Sequence, residues 1–124
     1  MHLTLRECYM RVSETKLEGV LVIDPAVFGD ERGFFFESFN KQQFKTETGL
    51  DLEFVQDNHS KSAHGILRGM HYQIKNVQDK LIRVISGEVF DVAVDLRKSS
   101  PNFGKWVGEI LSAENKKQLF VPKG

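Results

Sequence analysis

Apolar and polar residues alternate along most of the chain in short runs, and the richest mixture lies between Phe54 and Leu96. Residues 80–85 and 89–96 are two β-branched runs separated by Ser86-Gly87, a pattern that predicts a β-hairpin. A two-residue turn sets Ile85 opposite Glu88 and Ile82 opposite Asp91. That register puts Lys80, Ile82, Val84, Val89, Asp91, Ala93 and Asp95 on one face. The other face, with Leu81, Ile85, Phe90, Val92, Val94 and Leu96, is apolar and predicts the core side. A lysine and two carboxylates on the first face fit a cavity lining, and equally an ordinary wet sheet surface.

The remaining pattern predicts short elements. Residues 20–23 read as a strand stopped by Asp24-Pro25, residues 29–33 as a turn, and residues 34–39 as a strand. Residues 40–48 are the one credible helix, with Asn40 as its cap, Phe44 as a core contact and Gly49 as its stop. Residues 52–58 read as extended, 60–65 as an exposed loop, and 66–73 as a strand interrupted at Gly69. A bulge there would let Arg68 and His71 reach one cavity. Residues 74–78 form a loop, 106–111 a strand, 113–117 a polar turn, and 118–121 a further strand. A strand followed at once by Pro122-Lys123-Gly124 predicts a partly paired sheet, from an incomplete domain or, less favoured, one completed by a partner chain.

A length of 124 residues fits one domain with a real core. Its body is expected over residues 10–124, with residues 1–9 as an extension or arm; Met10 reads as a second plausible start. Ten Phe, ten Gly and three Pro, with many Val and Ile, favour a β-rich sandwich or barrel over a helical fold. Lys and Arg number 17 and Asp and Glu 17, so charge gives no pull toward nucleic acid or an anionic membrane. No apolar run has transmembrane length, and the first residues lack a signal-peptide core. The single Cys8 excludes an intrachain disulfide and suits the cytoplasm.

Among candidate chemical groups, His71 lies between Met70 and Tyr72 in a predicted strand, where a buried imidazole beside a carboxylate can act as a base; taken alone it reads more often as a structural histidine. Arg68 and Lys80 add a cationic set suited to an anionic ligand or a developing oxyanion. His59, His64 and His71 are spaced by five and seven residues with no His-X-His, which argues against a bound metal. Gln56 and Asn58 share a strand face and can present amides to a planar heterocycle, or bond neighbouring loops. Arg32 and Glu37 form a basic and acidic pair or simply solvated charges, and the run of Phe at 34–36 reads as packing because no basic stripe accompanies it.

The strings VFGDERGFFFESFN, FVQDNHSKS, GILRGMHYQ and QDKLIRVISGEVFDVAVDLRKSSPNFGKWVGEILSAENKKQLFVPKG resemble the dTDP-4-dehydrorhamnose 3,5-epimerase family, with the likeness spanning residues 10–124. The resemblance implies an all-β, cupin-like double-stranded β-helix, or jelly roll, cut short at its C-terminal end. It further implies a homodimer formed by strand exchange, no metal or organic cofactor, and a dTDP-linked 4-keto-6-deoxyhexose as substrate. By the same resemblance His71 is the catalytic base and Lys80 steadies the enolate oxygen, while Arg32, Glu37, Gln56, Asp57, Asn58, His59 and Arg68 contact the nucleotide-sugar. Asp91 is supporting, and His64 matches no family position. The family's opposing tyrosine and the histidine's aspartate partner fall beyond residue 124, so this polypeptide is expected to epimerise poorly and its natural product to be longer. The competing expectations are a relative of different specificity and a non-catalytic nucleotide-sugar binder or strand-swapping scaffold.

Overall fold

The computed structural model describes residues 9–124; apart from Tyr9, the expected arm at residues 1–9 lies outside them. The described chain runs β1 (Arg11–Glu14), β2 (Leu21–Asp24), β3 (Val27–Asp30), β4 (Gly33–Phe36), α1 (Lys41–Thr48), β5 (Lys80–Arg83), β6 (Glu88–Val94), β7 (Trp106–Ser112) and β8 (Gln118–Val121). The strands form a four-stranded antiparallel sheet in the order β1-β2-β8-β5 and two separate hairpins, β3-β4 and β6-β7.

Period-two alternation in the four-stranded sheet sends apolar side chains to both faces, and both are covered. On one side Val22, Leu119, Ile82, Val84 and Val121 pack against Ala93, Val107 and Leu111 of the β6-β7 hairpin, making a two-layer sandwich. On the other side Ile23, Phe120, Leu21 and Leu81 pack against Phe44 of the helix and Phe54 after it. Each fully buried aliphatic or aromatic side chain contributes about 1.5–3 kcal/mol relative to exposure.

The helix forms as its local sequence dictates. Asn40 Oδ1 accepts from Gln43 N at 3.0 Å, and Gly49 adopts φ 75° while its N–H donates to Lys45 O at 2.8 Å. Phe44 then points into the sheet and meets Phe120 at 5.6 Å and Phe54 at 6.0 Å between ring centroids, both edge-on.

Several expectations are overturned. Residues 80–85 and 89–96 do not form a hairpin: β5 pairs with β8, with Ile82 opposite Leu119, and β6 pairs with β7, with Asp91 opposite Glu109. Around Ser86-Gly87 the chain passes from one layer to the other, because each run finds a better ladder elsewhere; for β6 this is seven residues long and continued by Ala113 N donating to Gly87 O at 3.0 Å. The face assigned to the core is correspondingly split. Leu81 is half-buried against the helix side, whereas Ile85, Phe90 and Leu96 are exposed. Residues 52–58 and 66–73 form no strand; Leu52 and Phe54 still tuck into the core, but residues 55–78 are all exposed. β1 and β3 were not anticipated, and the strand at 34–39 is shorter, ending at Phe36.

Candidate functional site

The start of β5 and the inner face of β6 hold the best-defined part of the candidate site, with Lys80 exposed and Asp91 half-buried. Lys80 opens β5, and Asp79 beside it accepts from Lys123 N at 2.9 Å, which ties that strand end to the residues after β8. Lys80, Ile82 and Val84 share parity, and Ile82 and Val84 pack toward β6 and β7. Asp91 on β6 has the parity of buried Ala93, so it too points inward. Burial raises the Asp91 carboxyl above the usual carboxylate range, opposed by the Val92 N–H and by the positive charge of Lys80. The hairpin register expected to set Lys80 and Asp91 on one sheet face is absent: the two lie on strands of different sheets, and Lys80 is exposed.

Asp95, placed by the sequence pattern on the same face, is committed elsewhere. Its carboxylate accepts from Arg97 Nε at 2.9 Å, Arg97 Nη2 at 3.0 Å and Ser100 Oγ at 2.6 Å, and from Arg97 N at 2.9 Å. The side chain has no solvent contact because these partners cover it directly. The Arg97 guanidinium holds its carboxyl far below the usual carboxylate range. Every acceptor site is occupied in bracing the turn between β6 and β7, so Asp95 has no capacity left for a ligand.

The remaining candidates lie on exposed backbone. His71 is exposed and outside any strand, which corrects the buried-imidazole setting expected for it. Arg68 donates from Nη2 to Lys61 O at 3.1 Å, fastening the two ends of an exposed loop that also carries His64. Gln56 Nε2 donates to Asn58 Oδ1 at 3.0 Å, so the two amides are side by side although no ladder holds them; Asp57 and His59 flank them, also exposed. Arg32 sits in the tight turn between β3 and β4 and pairs with Asp30, Nη2 to Oδ2 at 2.6 Å, not with Glu37. That pairing lowers the Asp30 carboxyl and leaves the Arg32 side chain 90% exposed.

Sequence reasoning missed Asp30, Asp95 as a brace, and Glu109. Asp30 was legible as an i, i+2 partner of Arg32 in a Gly-bounded turn. Glu109 was not, since its place opposite Asp91 depends on a pairing of β6 with β7 that the nearer turn signal obscured. Among the described residues no three His, Cys, Asp or Glu side chains are grouped as metal ligands, and no helix is long and apolar enough to cross a membrane.

Comparison with known proteins bears on this arrangement. The family model described as dTDP-4-dehydrorhamnose 3,5-epimerase matches residues 14–124. The dTDP-4-dehydrorhamnose 3,5-epimerase of Shigella flexneri is 62% identical over 116 residues, covering 93% of this chain and 64% of that protein. The crystal structure of dTDP-6-deoxy-D-glucose-3,5-epimerase from Legionella pneumophila, in complex with dTDP-4-keto-L-rhamnose, matches with a TM-score of 0.90 at 52% identity, covering 94% of this chain and 62% of that one. A 3'-monoepimerase from Streptomyces bikiniensis in complex with dTDP-quinovose gives a TM-score of 0.81 at 33% identity, covering 89% and 56%. The chain thus spans a little under two thirds of the length of the first two relatives. The strands and the one short helix among the described residues have the cupin-like jelly-roll fold of those epimerases. With a matching model over nearly the whole chain and relatives well above half identical, the chain belongs to the dTDP-4-dehydrorhamnose 3,5-epimerase family.

Proposed function

We propose that this chain carries the proton-abstracting part of an epimerase that inverts C3 and C5 of dTDP-4-dehydro-6-deoxy-D-glucose, giving dTDP-4-dehydro-L-rhamnose. The observation that carries the reading is the close structural match to the Legionella pneumophila epimerase in complex with dTDP-4-keto-L-rhamnose. The chemistry suits the residues. A proton α to a ketone is weakly acidic in water, and its removal becomes feasible when a base stands beside it and a cation receives the enolate charge. His71 supplies the base and Lys80 the cation, with Asp91 as a supporting carboxylate. Arg32 and Arg68 meet phosphate or sugar, the adjacent amides of Gln56 and Asn58 meet the thymine edge, and Glu37, Asp57 and His59 complete the nucleotide-sugar contacts. No cofactor is needed for proton removal and return at a carbon already activated by its neighbouring carbonyl.

The family setting and the single Cys8 favour a cytoplasmic location. A homodimer formed by strand exchange is supported by large apolar side chains left at the surface of β4 and of residues 55–78, including Phe35 at 70%, Leu67 at 90% and Ile74 at 83% exposure. Light scattering over a dilution series tests it, and a monomer at every concentration ends it.

Incubating the chain with the dTDP-sugar in deuterium oxide tests the chemistry. Deuterium at both C3 and C5 is expected even where little inverted product accumulates, because exchange needs only the base and the cation that receives the enolate charge, not the opposing acid. Label at one carbon alone would instead favour a monoepimerase, as in the Streptomyces bikiniensis relative. Thymidine diphosphate binding without any exchange would reduce the chain to a nucleotide-sugar binder.

A further inference from the structure

The β3-β4 hairpin carries Arg32 at its turn, yet among the described residues its strands ladder only with each other. A two-stranded hairpin is marginally stable by itself, so its direction must come from attachments to the rest of the chain. Those attachments start from the segment that enters β8. Gln118, the first residue of β8, points to the helix side of the four-stranded sheet and shares that face with Ile23 and Phe120. An apolar side chain is the ordinary choice for such a position, and Gln118 is only 2% exposed. Its amide makes one bond across the fold: Nε2 donates to Ser38 O at 2.7 Å, just past the end of β4. Phe39 then packs against Phe44 and Phe54, at 5.7 and 5.1 Å between ring centroids, so a buried hydrogen bond and an aromatic cluster together fix the base of the hairpin.

Lys116 holds the flank. Its Nζ lies 4.2 Å from the centre of the ring of Phe34, which follows the Arg32 turn, and donates to Ala113 O at 3.1 Å and Glu114 O at 3.3 Å. Lys116 has φ 56°, a left-handed conformation that glycine takes without the steric cost a lysine bears. The turn alone would be better served by glycine; the ammonium over Phe34 is what glycine would lose. We propose that Gln118 and Lys116 are positioning residues for Arg32: they anchor the β3-β4 hairpin, at base and flank, to the segment entering β8 and so hold the guanidinium ready for an anionic group of the nucleotide-sugar. The functional meaning rests on the reading of Arg32 as a phosphate or sugar contact. A guanidinium on a hairpin held in one direction loses less freedom on meeting phosphate than one on a hairpin that swings, so the anchoring is read as affinity.

Paired measurements on the 124-residue chain test this. Nitrogen relaxation of the backbone amides of β3 and β4 reads the motion of the hairpin without ligand, and calorimetry reads thymidine diphosphate affinity. Gln118→Met removes the amide at nearly constant volume, and Lys116→Gly removes the ammonium while suiting the left-handed backbone. Both are expected to increase hairpin motion and to weaken thymidine diphosphate binding by about threefold. Lys116→Arg keeps a cation over the ring and should restore both readings. In an Arg32→Ala background neither anchor variant should weaken binding further, because the anchors act through that guanidinium. A merely structural role would lower the urea midpoint of unfolding and weaken binding by the same factor with or without Arg32, whereas Lys116→Gly should leave the midpoint unchanged. Hairpin motion unaltered in both variants, or an affinity loss that persists without Arg32, overturns the proposal. If Gln118→Met fails to fold by circular dichroism, the Lys116→Gly and Lys116→Arg pair decides alone, with more motion and weaker binding required in the first and neither in the second. Unchanged affinity in Arg32→Ala itself, with motion raised in the anchor variants, overturns the reading of Arg32 and leaves the anchoring in place.

Discussion

The four-stranded sheet and residues 55–78 are both rich in large apolar side chains, yet they treat them oppositely. In the sheet Ile23, Leu119 and Phe120 are each 1% exposed, whereas Val55 is 89% and Leu67 90% exposed. Hydrophobicity is alike; what differs is the backbone. The sheet strands satisfy their N–H and C=O groups with one another and can be covered on both faces, but residues 55–78 have no ladder and run over the surface. The sheet therefore carries stability, and the exposed stretch, free of packing duties, carries most of the ionisable and amide groups of the candidate site. Substitutions in the two regions should separate accordingly.

His71→Asn gives the largest expected effect. Loss of the base should slow deuterium exchange at C3 and C5 by about 100- to 10,000-fold. Being exposed and outside any strand, His71 should leave the urea midpoint of unfolding unchanged. A midpoint that falls together with the rate would mean that the exposed stretch is structural after all. Phe120→Ala should do the opposite in kind. It empties the contact between the sheet and Phe44, and a cost of about 3–5 kcal/mol is expected in equilibrium unfolding.

How far this division could be read from the sequence follows from the range of the interactions. Helix α1 was legible because its cap, core residue and stop are all local: Asn40, Phe44 and Gly49. β7 and β8 were legible as alternating runs. Their partners were not, since β5 pairs with a strand that lies beyond both β6 and β7 in the chain, while Ser86-Gly87 offered a nearer and wrong solution. Inward-facing parity survived that error for Asp91, which is half-buried, but not for Lys80, which is exposed on a strand of another sheet. The nucleotide-contacting residues had no such periodic signal. Gln56, Asp57, Asn58, His59 and Arg68 were singled out by side-chain chemistry and family resemblance, and the strands expected to present them are absent.

Acid tests the stable region through Asp95. Its folded carboxyl lies below its unfolded value of about 3.9, so the stabilisation is fully present above that value and is lost as pH falls through it toward the folded value. Urea unfolding measured between pH 6 and about 2 should show stability dropping below about pH 4, with a shallower drop in Asp95→Asn. Asp91 works in the other direction: its raised carboxyl favours the folded state most when protonated, below the unfolded value, and loses that contribution as pH rises through the folded one. The net acid slope of the wild type should thus steepen in Asp91→Asn, which removes the opposing group.

The smallest effect on stability, and the sharpest separation of the two regions, is expected at Arg32. Its ion pair with Asp30 is short but bathed in water, and pairs of that kind contribute little. Arg32→Ala should therefore leave the urea midpoint of unfolding essentially unchanged. In the proposed role the same guanidinium meets phosphate or sugar, so thymidine diphosphate affinity measured by calorimetry should fall about tenfold, with a weaker dependence on salt than in the wild type. A large loss of stability with affinity retained would place the β3-β4 turn with the packed sheet. Loss of affinity at constant stability would place it with residues 55–78, joining two exposed segments far apart in sequence into one binding surface.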